Sequence, residues 1–365
     1  MSFPEIKKNF GFGCMRLKMD GENVDYNEFN KMIDAFINAG FNYFDTAHGY
    51  ISGKSEIAIG KCLSARYNRE DFVLANKLSD WYFEKEEDII PLFESQLHIC
   101  GVDYFDFYLF HCLTRKSYPK HKECNTFEIV KKLKEEGKIK HIAMSFHDTA
   151  DILDMILSEQ PSIEVVQLQI NYLDYDDPAV QSKACYDVAV KHGKKVIVME
   201  PVKGGALVNL PDKAAKVLDE LKGGSYASYA LRYTASYPEV FMVLSGMGSM
   251  EMMTDNLNTF SPFVPFNERE FEATDRVREI VREVSQIPCT ACAYCTEVCP
   301  KNIPIPTLFA SYNKVLSAKI TGGEAKESFP KDKGQASDCI KCGKCEKICP
   351  QNINIKEQLE KIAKL

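Results

Sequence analysis

Eight short apolar runs, each typical of a β-strand, recur through the first 286 residues, with starts mostly 24–35 residues apart. Seven helix-like segments separate these runs, and the first carries apolar residues at the i, i+3, i+4 spacing of an amphipathic helix. Four glycines, Gly40, Gly101, Gly137 and Gly193, stand where helices are expected to end. The eight runs are Phe10–Arg16, Asn42–Asp45, Phe72–Lys77, Tyr104–His111, Ile139–Ser145, Glu164–Ile170, Lys195–Glu200 and Val240–Ser245.

The composition of these runs indicates a parallel sheet that is covered on both faces. Segments such as FDFYLF and KVIVM are apolar at every position, whereas a half-exposed strand alternates apolar and polar residues. Eight strand–helix units in about 250 residues predict an α/β fold of the (β/α)8 TIM-barrel type. The alternative is a doubly wound open sheet, but no G-x-G-x-x-G sequence follows the first strand, and this disfavours it.

The last part of the chain contains one cysteine pattern written twice. Each copy reads C-x2-C-x2-C-x3-C-P, and this is the run with which bacterial ferredoxins hold [4Fe–4S] clusters. Zinc sites more often show two C-x2-C pairs or mixtures of Cys and His, and nothing suggests export to a compartment that favours disulfides. The copies are Cys289, Cys292, Cys295 and Cys299, then Cys339, Cys342, Cys345 and Cys349.

Two [4Fe–4S] clusters are therefore predicted. In two-cluster ferredoxins the fourth cysteine of each run binds the other cluster. We accordingly expect Cys299 to join Cys339, Cys342 and Cys345, and Cys349 to join the first three cysteines of the first run.

Composition divides the chain near residue 286. From Ile287 onward there are 12 lysines, no arginine and 8 acidic residues, a net charge of +4, and 8 of the 14 cysteines lie there. We therefore predict a barrel domain over 1–286 and a small, mainly helical ferredoxin-like iron–sulfur domain over 287–365. The total charge of −7 offers no overall basic surface for nucleic acid, and no apolar run is long enough to span a membrane.

Charged and polar residues close several of the predicted strands. Asp45 ends the second strand and Tyr50 follows it, while Lys77 ends the third strand and His111 ends the fourth. Barrel enzymes carry their chemistry at the carboxyl ends of the strands. A phenol titrates near 10, and a neighbouring ammonium lowers that pKa, so this set of residues suits proton transfer to a carbonyl oxygen.

The pattern D-T-A-x-x-Y with Asp45 and Tyr50, followed by Lys77 and then His111, resembles the catalytic tetrad of the aldo-keto reductase superfamily. The resemblance covers residues from about 10 to 260. It implies that Tyr50 is the general acid/base, that Lys77 and Asp45 tune it, and that His111 positions the carbonyl.

The same resemblance implies a nicotinamide dinucleotide site, with two departures from the family pattern. Phe146 stands where an asparagine is usual, and Met199 stands where an aromatic ring usually stacks on the nicotinamide. In NADP-specific members of the family, basic residues bind the 2′-phosphate of NADP. Gly246 and Met252 stand at those positions here, so the sequence does not favour NADP over NAD. NAD(P)H is the expected cofactor and a flavin is the alternative. The cofactor residues implied are Ser145 and Gln167 for the carboxamide, Met199 beside the nicotinamide ring, Gly246 and Gly248 for a phosphate, and Asp255 and Asn256 for the adenine.

Together these features predict an oxidoreductase that interconverts a small-molecule carbonyl and an alcohol, with two clusters for electron transfer. Because a cluster moves one electron and a hydride carries two, three roles for the clusters stay open: supplying a bound flavin or substrate, exchanging electrons with a redox partner protein, or bracing the fold. The other class is a non-enzymatic redox sensor or dinucleotide-binding partner protein with structural clusters. Oxygen-sensitive clusters predict a cytoplasmic location.

Overall fold

The computed structural model describes residues 3–283, 286–317 and 319–365. The chain forms two compact units. The first comprises Met1–Pro201 and Ala227–Asn267, and the second comprises Val202–Tyr226 and Glu268–Leu365. The domain boundary predicted at residue 286 from composition differs from this division into two units, and it stays a prediction. Residues 284 and 285, next to that boundary, lie outside the described residues.

Eight parallel strands of the first unit close into a barrel. The first strand pairs with both the second and the eighth, so the sheet has no free edge, and the predicted barrel is confirmed over the open sheet. A small hairpin of Met19–Asp20 and Asn23–Val24 lies outside the barrel and was not predicted. The barrel strands are β1 Phe10–Gly13, β2 Tyr43–Asp45, β3 Val73–Ser79, β4 Phe105–Leu113, β5 Ile139–Phe146, β6 Val165–Gln169, β7 Lys195–Met199 and β8 Val240–Gly246.

Helices alternate with these strands as the apolar spacing predicts. The first helix begins where the Asp25 carboxylate accepts a hydrogen bond from the Glu28 amide at 3.0 Å, and its buried face carries Phe29, Met32, Ile33 and Phe36. All four glycines predicted to end helices have positive φ, a conformation that is strained for residues with a Cβ. The helices as far as residue 282 are α1 Tyr26–Asn38, α2 Lys54–Ile59, α3 Ile89–Cys100, α4 Tyr118–Glu123, α5 Thr126–Glu135, α6 Ala150–Glu159, α7 Ser182–Lys191, α8 Asp212–Asp219, α9 Tyr226–Ala235, α10 Met250–Phe260 and α11 Glu268–Arg282.

The barrel interior is an apolar core built from alternate residues of the strands. Successive side chains of a strand point to opposite faces, so each inward residue is followed two positions later by another. The same alternation continues to the carboxyl ends of the strands, where the inward-facing residues are polar instead of apolar. The buried core residues are Tyr43, Val73, Ala75, Phe107, Leu109, Ala143, Val165, Ile197, Met242 and Leu244, with Phe3 packed among them.

The second unit is mainly helical. Within it α8 packs on α11, and the cysteine-rich part has its own core, which includes Ile305, Phe309, Ile355 and Leu359. The described helices include none that is both long and apolar enough to cross a bilayer. The remaining helices are α12 Tyr294–Glu297, α13 Ile305–Leu316, α14 Gly322–Glu327, α15 Lys344–Lys347 and α16 Ile355–Ile362.

Candidate active site and cluster sites

A buried ion pair lies at the carboxyl end of the barrel strands. The Lys77 ammonium on β3 donates to Asp45 Oδ1 on β2 at 2.6 Å and to the Thr46 carbonyl at 2.8 Å. Lys77 is 1% exposed and Asp45 is 2% exposed. The two charged groups are therefore buried from water and paired with each other, so the ion pair is a fixed feature of the site.

Tyr50 and His111 lie next to this pair. The Lys77 ammonium is 4.6 Å from the centre of the Tyr50 ring, and the Tyr50 and His111 rings meet edge to face with 6.0 Å between their centres. The Trp81 ring lies 5.1 Å from the His111 ring. The structure thus brings together all four residues that the sequence picked out as a catalytic set.

The pKa values of the two rings are shifted in opposite directions. Burial, and after it the charge of Asp45, raise the pKa of the Tyr50 hydroxyl well above its usual value. We expected the pKa to be lowered by Lys77; in the structure that ammonium is already paired with Asp45, so burial dominates. Burial, and after it the Lys77 charge, hold the pKa of His111 well below its usual value, so its imidazole is neutral near pH 7.

Ser79 is a site residue that the sequence analysis missed. Strand β3 continues two residues beyond Lys77, its predicted last residue, and β4 continues to Leu113, two beyond His111. Ser79 pairs with His111 in the sheet, and its hydroxyl lies 2.6 Å from His111 Nδ1. The alternation of inward residues from Ala75 through Lys77 is the signal that would have found it.

A second buried polar cluster supports the strand that carries Lys77. The Glu56 carboxylate, fully buried, accepts from the side chains of Asn76 at 2.8 Å and Gln96 at 3.1 Å, and its other oxygen lies 2.7 Å from His48 Nδ1. Gln96 also donates to the Lys77 carbonyl at 3.0 Å. These contacts anchor the Asn76 side chain and the Lys77 carbonyl, and so support the strand from which the Lys77 side chain projects.

The residues expected to hold a carboxamide lie on adjacent strands. Ser145 on β5 pairs with Gln167 on β6, and both are buried. The Ser145 hydroxyl accepts from the Cys112 amide at 2.8 Å, and the Gln167 side chain donates to Asp45 Oδ2 at 3.5 Å. Met199 ends β7 two residues after the inward-facing Ile197 and is half-buried, so it borders the same space.

Arg16 is a second residue that was missed, and it lies against the glycines expected to hold phosphate. A Cβ on Gly246 would lie 3.0 Å from the Arg16 side chain, and one on Gly248 would lie 3.1 Å from the Arg16 carbonyl. The guanidinium contacts Glu200 at 3.4 Å. The glycines thus make room for the backbone and the aliphatic part of the Arg16 side chain beside the end of β8.

The predicted adenine-contacting pair lies on α10, in two different settings. Asn256 is 5% exposed and donates to the Ser245 hydroxyl at 3.1 Å, so it ties the helix to β8. Asp255 is half-buried. The first amide of this helix, that of Met250, donates to the Glu28 carboxylate at 3.1 Å.

The eight cysteines of the duplicated pattern line two cavities in the second unit. One is lined by Cys289, Cys292, Cys295 and Cys349. The other is lined by Cys299, Cys339, Cys342 and Cys345. Each cavity is therefore lined by the first three cysteines of one run and the fourth cysteine of the other run, which is the grouping expected for a two-cluster ferredoxin.

The arrangement of these thiols fits a cubane better than a single ion. Within the described residues, no three His, Cys, Asp or Glu side chains converge closely enough to share one metal ion. Each thiolate of a [4Fe–4S] cluster binds its own iron, so sulfurs spread around a cavity are the geometry that the cluster needs. A mononuclear zinc site requires its ligands to meet at one point.

Comparisons with known proteins agree with the fold. The sequence profile described as "Aldo/keto reductase family" matches residues 9–279. The chain belongs to the aldo/keto reductase family. A second profile, "4Fe-4S dicluster domain", matches residues 288–354. The protein is thus an oxidoreductase with an aldo/keto reductase barrel and a C-terminal 4Fe-4S dicluster domain.

Relatives of this aldo/keto reductase match its barrel. The Bacillus subtilis protein named "Uncharacterized oxidoreductase YqkF" is 24% identical over 281 residues, covering 68% of this chain and 85% of the relative. The aldo-keto reductase AKR11C1 from Bacillus halodurans in its holo form has a TM-score of 0.62 at 25% identity, covering 74% of this chain and 91% of that one. An aldo-keto reductase from Klebsiella pneumoniae in complex with NADPH has a TM-score of 0.61 at 19% identity, covering 75% and 95%.

Proposed function

We propose that this protein interconverts a small-molecule carbonyl and its alcohol at the carboxyl end of the barrel, with Tyr50 as the group that gives and takes the proton. The observation that supports this most is the Lys77–Asp45 pair, buried and 2.6 Å long, beside the Tyr50 ring and across from His111. A structural ion pair alone gives no reason for a tyrosine and a neutral imidazole to lie beside it.

The roles follow from the charges and donors present. In the reducing direction, the Tyr50 hydroxyl gives its proton to the carbonyl oxygen as a hydride reaches the carbonyl carbon. The C=O π bond breaks, one C–H and one O–H bond form, and Tyr50 is left as a phenolate. The Lys77 ammonium, 4.6 Å from the ring centre, stabilises that phenolate, and Asp45 keeps the ammonium charged.

His111 orients the carbonyl oxygen as a neutral donor. Since burial keeps its imidazole uncharged, only one ring nitrogen carries a hydrogen. When the Ser79 hydroxyl donates to Nδ1, the hydrogen is on Nε2 and points away from Ser79. Ser79 is therefore proposed as a positioning residue that selects the donating tautomer.

Replacing Ser79 with Ala is expected to lower kcat about fivefold, the effect of losing one net hydrogen bond of about 1 kcal/mol, with little change in KM. Ser79→Thr, which keeps the hydroxyl, should restore the rate. The ¹⁵N chemical shifts of His111 report the tautomer directly. Unchanged shifts in Ser79→Ala would remove Ser79 from the mechanism even if kcat fell.

We further propose that the hydride donor is a nicotinamide dinucleotide, which supplies or accepts a hydride when it is bound. Ser145 and Gln167 present a hydroxyl and an amide on adjacent strands, as a carboxamide requires. The backbone amides of Gly246 and Gly248 are proposed to bind phosphate, and Arg16, whose aliphatic part packs on Gly246 and whose guanidinium contacts Glu200, is proposed to add a positive charge, since amides and a guanidinium both favour an anion. The Klebsiella relative of the same fold holds NADPH.

Titration of anaerobically purified protein with NADH, NADPH and flavins tests this cofactor assignment. We expect saturable binding of at least one nicotinamide, weakened by Arg16→Gln because phosphate loses a charged partner. Lys18→Gln, at an exposed ion pair near the start of the chain, is the matched control and should bind as the unaltered protein does. Binding of a flavin with no binding of either nicotinamide would contradict the proposal.

The second unit is proposed to hold two [4Fe–4S] clusters that transfer electrons. Cys289, Cys292, Cys295 and Cys349 would hold one cluster, and Cys299, Cys339, Cys342 and Cys345 the other, because these are the sets that line the two cavities. Since such clusters are damaged by oxygen and need free thiols, we infer a reducing compartment, the cytoplasm.

A further inference from the structure

The two cysteine runs form a matched pair within one chain. Every cysteine of the first cysteine loop, Cys289–Cys299, has its counterpart fifty residues later in the second cysteine loop, Cys339–Cys349. The backbone repeats as well, because α12 Tyr294–Glu297 and α15 Lys344–Lys347 begin at equivalent positions. Both loops have the cysteine spacing and the backbone that a cluster needs. The other residues in which the loops differ are therefore not required for holding a cluster.

The loops differ in charge. The first cysteine loop contains no lysine or arginine and one acidic residue, Glu297. The second contains Lys341, Lys344 and Lys347 and one acidic residue, Glu346; Lys341 is paired with Glu360, and Glu346 is paired with Lys356. The described residues that line the first cavity include no lysine, arginine or carboxylate, whereas the second cavity is lined by Lys301, Lys344 and Lys356 beside its cysteines.

The loops also differ in exposure. Thr290 of the first loop is 2% exposed, whereas Ile340 at the equivalent position of the second loop is 58% exposed. The cause is a segment of the same unit that covers Thr290: a Cβ on Gly204 would lie 2.4 Å from the Thr290 carbonyl, so backbone packs on backbone there. Among the eight cysteines, Cys342 of the second loop is exposed and the others are buried or half-buried.

We propose that the second cysteine loop is the surface on which a small acidic protein that carries one electron docks and exchanges that electron with the cluster beneath. This inference rests on the proposed placement of a cluster at Cys299, Cys339, Cys342 and Cys345. In each encounter one electron leaves the reduced carrier and enters the cluster. The carrier is oxidised by one electron, and no bond forms or breaks.

The chemistry of the loop selects this partner. A cluster with four thiolates carries a net charge of about −2, so an added electron makes it more negative, and nearby ammonium groups stabilise that state. The same lysines attract an acidic surface over several ångströms. An apolar side chain within a rim of charges is the usual anatomy of a protein-docking surface, and Ile340 is that side chain.

The test compares two triple variants with the same change in charge. Lys301→Glu, Lys344→Glu and Lys347→Glu together reverse the proposed surface. Lys314→Glu, Lys319→Glu and Lys326→Glu together alter exposed lysines of the same unit that line neither cavity. The probe is a reduced acidic bacterial ferredoxin, mixed anaerobically with the oxidised full-length protein, and the second-order rate of cluster reduction is followed by absorbance.

The surface variant is expected to accept electrons about 10-fold more slowly at low ionic strength and to lose most of its salt dependence, while the control variant stays within about twofold of the unaltered protein. In a redox titration followed by electron paramagnetic resonance, the surface variant should lower the potential of one cluster and not of the other. Equal rates for the two triple variants, or equal shifts of both clusters, would overturn the inference.

These outcomes separate this inference from the proposed function. The measurement needs no carbonyl and no nicotinamide, so it stands if the barrel chemistry is wrong. Iron and sulfide analysis reports whether clusters are present, and their absence from anaerobic protein would defeat the cluster assignment itself. If the charge-reversed variant assembles no clusters, the milder triple Lys→Gln variant at the same positions is measured, with an expected rate loss of about threefold.

Discussion

Replacing Tyr50 with Phe is expected to lower kcat for carbonyl reduction by about 10²-fold or more, with nucleotide binding retained. The change removes one hydroxyl from a ring that is 8% exposed, so the packing of the site is kept and the proton donor is lost. Steady-state kinetics and nucleotide titration of the same preparation measure the two effects. Tyr67→Phe is the matched control, because that hydroxyl donates to Asp34 on α1 and takes no part in the proposed chemistry.

The pH profile adds a second readout for Tyr50. Because burial raises the pKa of this hydroxyl, it keeps its proton well above neutral pH. The rate of carbonyl reduction should therefore not fall between about pH 7 and pH 9 through loss of the Tyr50 proton. An unchanged kcat in Tyr50→Phe would exclude Tyr50 as the proton donor.

Replacing Lys77 with Met is expected to abolish most activity and to reduce the free energy of unfolding by about 3–5 kcal/mol, because Asp45 is left buried without its partner. Burial already raises the pKa of Asp45, so in this variant the carboxyl should take up a proton and the loss of stability should shrink as the pH falls. Urea unfolding at several pH values measures both effects.

A double variant separates stability from chemistry in this experiment. Asp45→Asn with Lys77→Met removes both charges, so it should regain much of the lost stability while activity stays absent. Full activity in the double variant would show that the ion pair is structural only. A Lys77→Met protein as stable as the unaltered one would show that Asp45 does not depend on Lys77.

The sequence was sufficient to predict the barrel because its strands are buried on both faces and therefore read as unbroken apolar runs. All eight runs became barrel strands, and Asp45, Tyr50, Lys77 and His111 came together, since the carboxyl ends of parallel strands meet at one rim. The ends of β3 and β4 were placed two residues too early. A polar residue was taken as the end of a strand, yet inward positions at the rim of a barrel accept polar side chains.

Other features depend on three-dimensional register and burial, which spacing along the chain does not give. The contact of Ser79 with His111 follows from the pairing of β3 with β4, and the approach of Arg16 to Gly246 follows from the pairing of β1 with β8. The raised pKa of Tyr50 follows first from its burial and then from the charge of Asp45. Similarly, the burial of Thr290 depends on where the Gly204 segment packs.

The most direct test of the central claim follows the hydride itself. Anaerobic protein is mixed with NADH or NADPH that carries deuterium at the transferable position of C4 and with a panel of small aldehydes and ketones, and the alcohol formed is analysed by mass spectrometry. The account predicts one deuterium on the carbinol carbon of each product molecule, formed at least about 10²-fold more slowly by Tyr50→Phe. Alcohol formed without the label, or labelled alcohol formed equally fast by Tyr50→Phe, would contradict it.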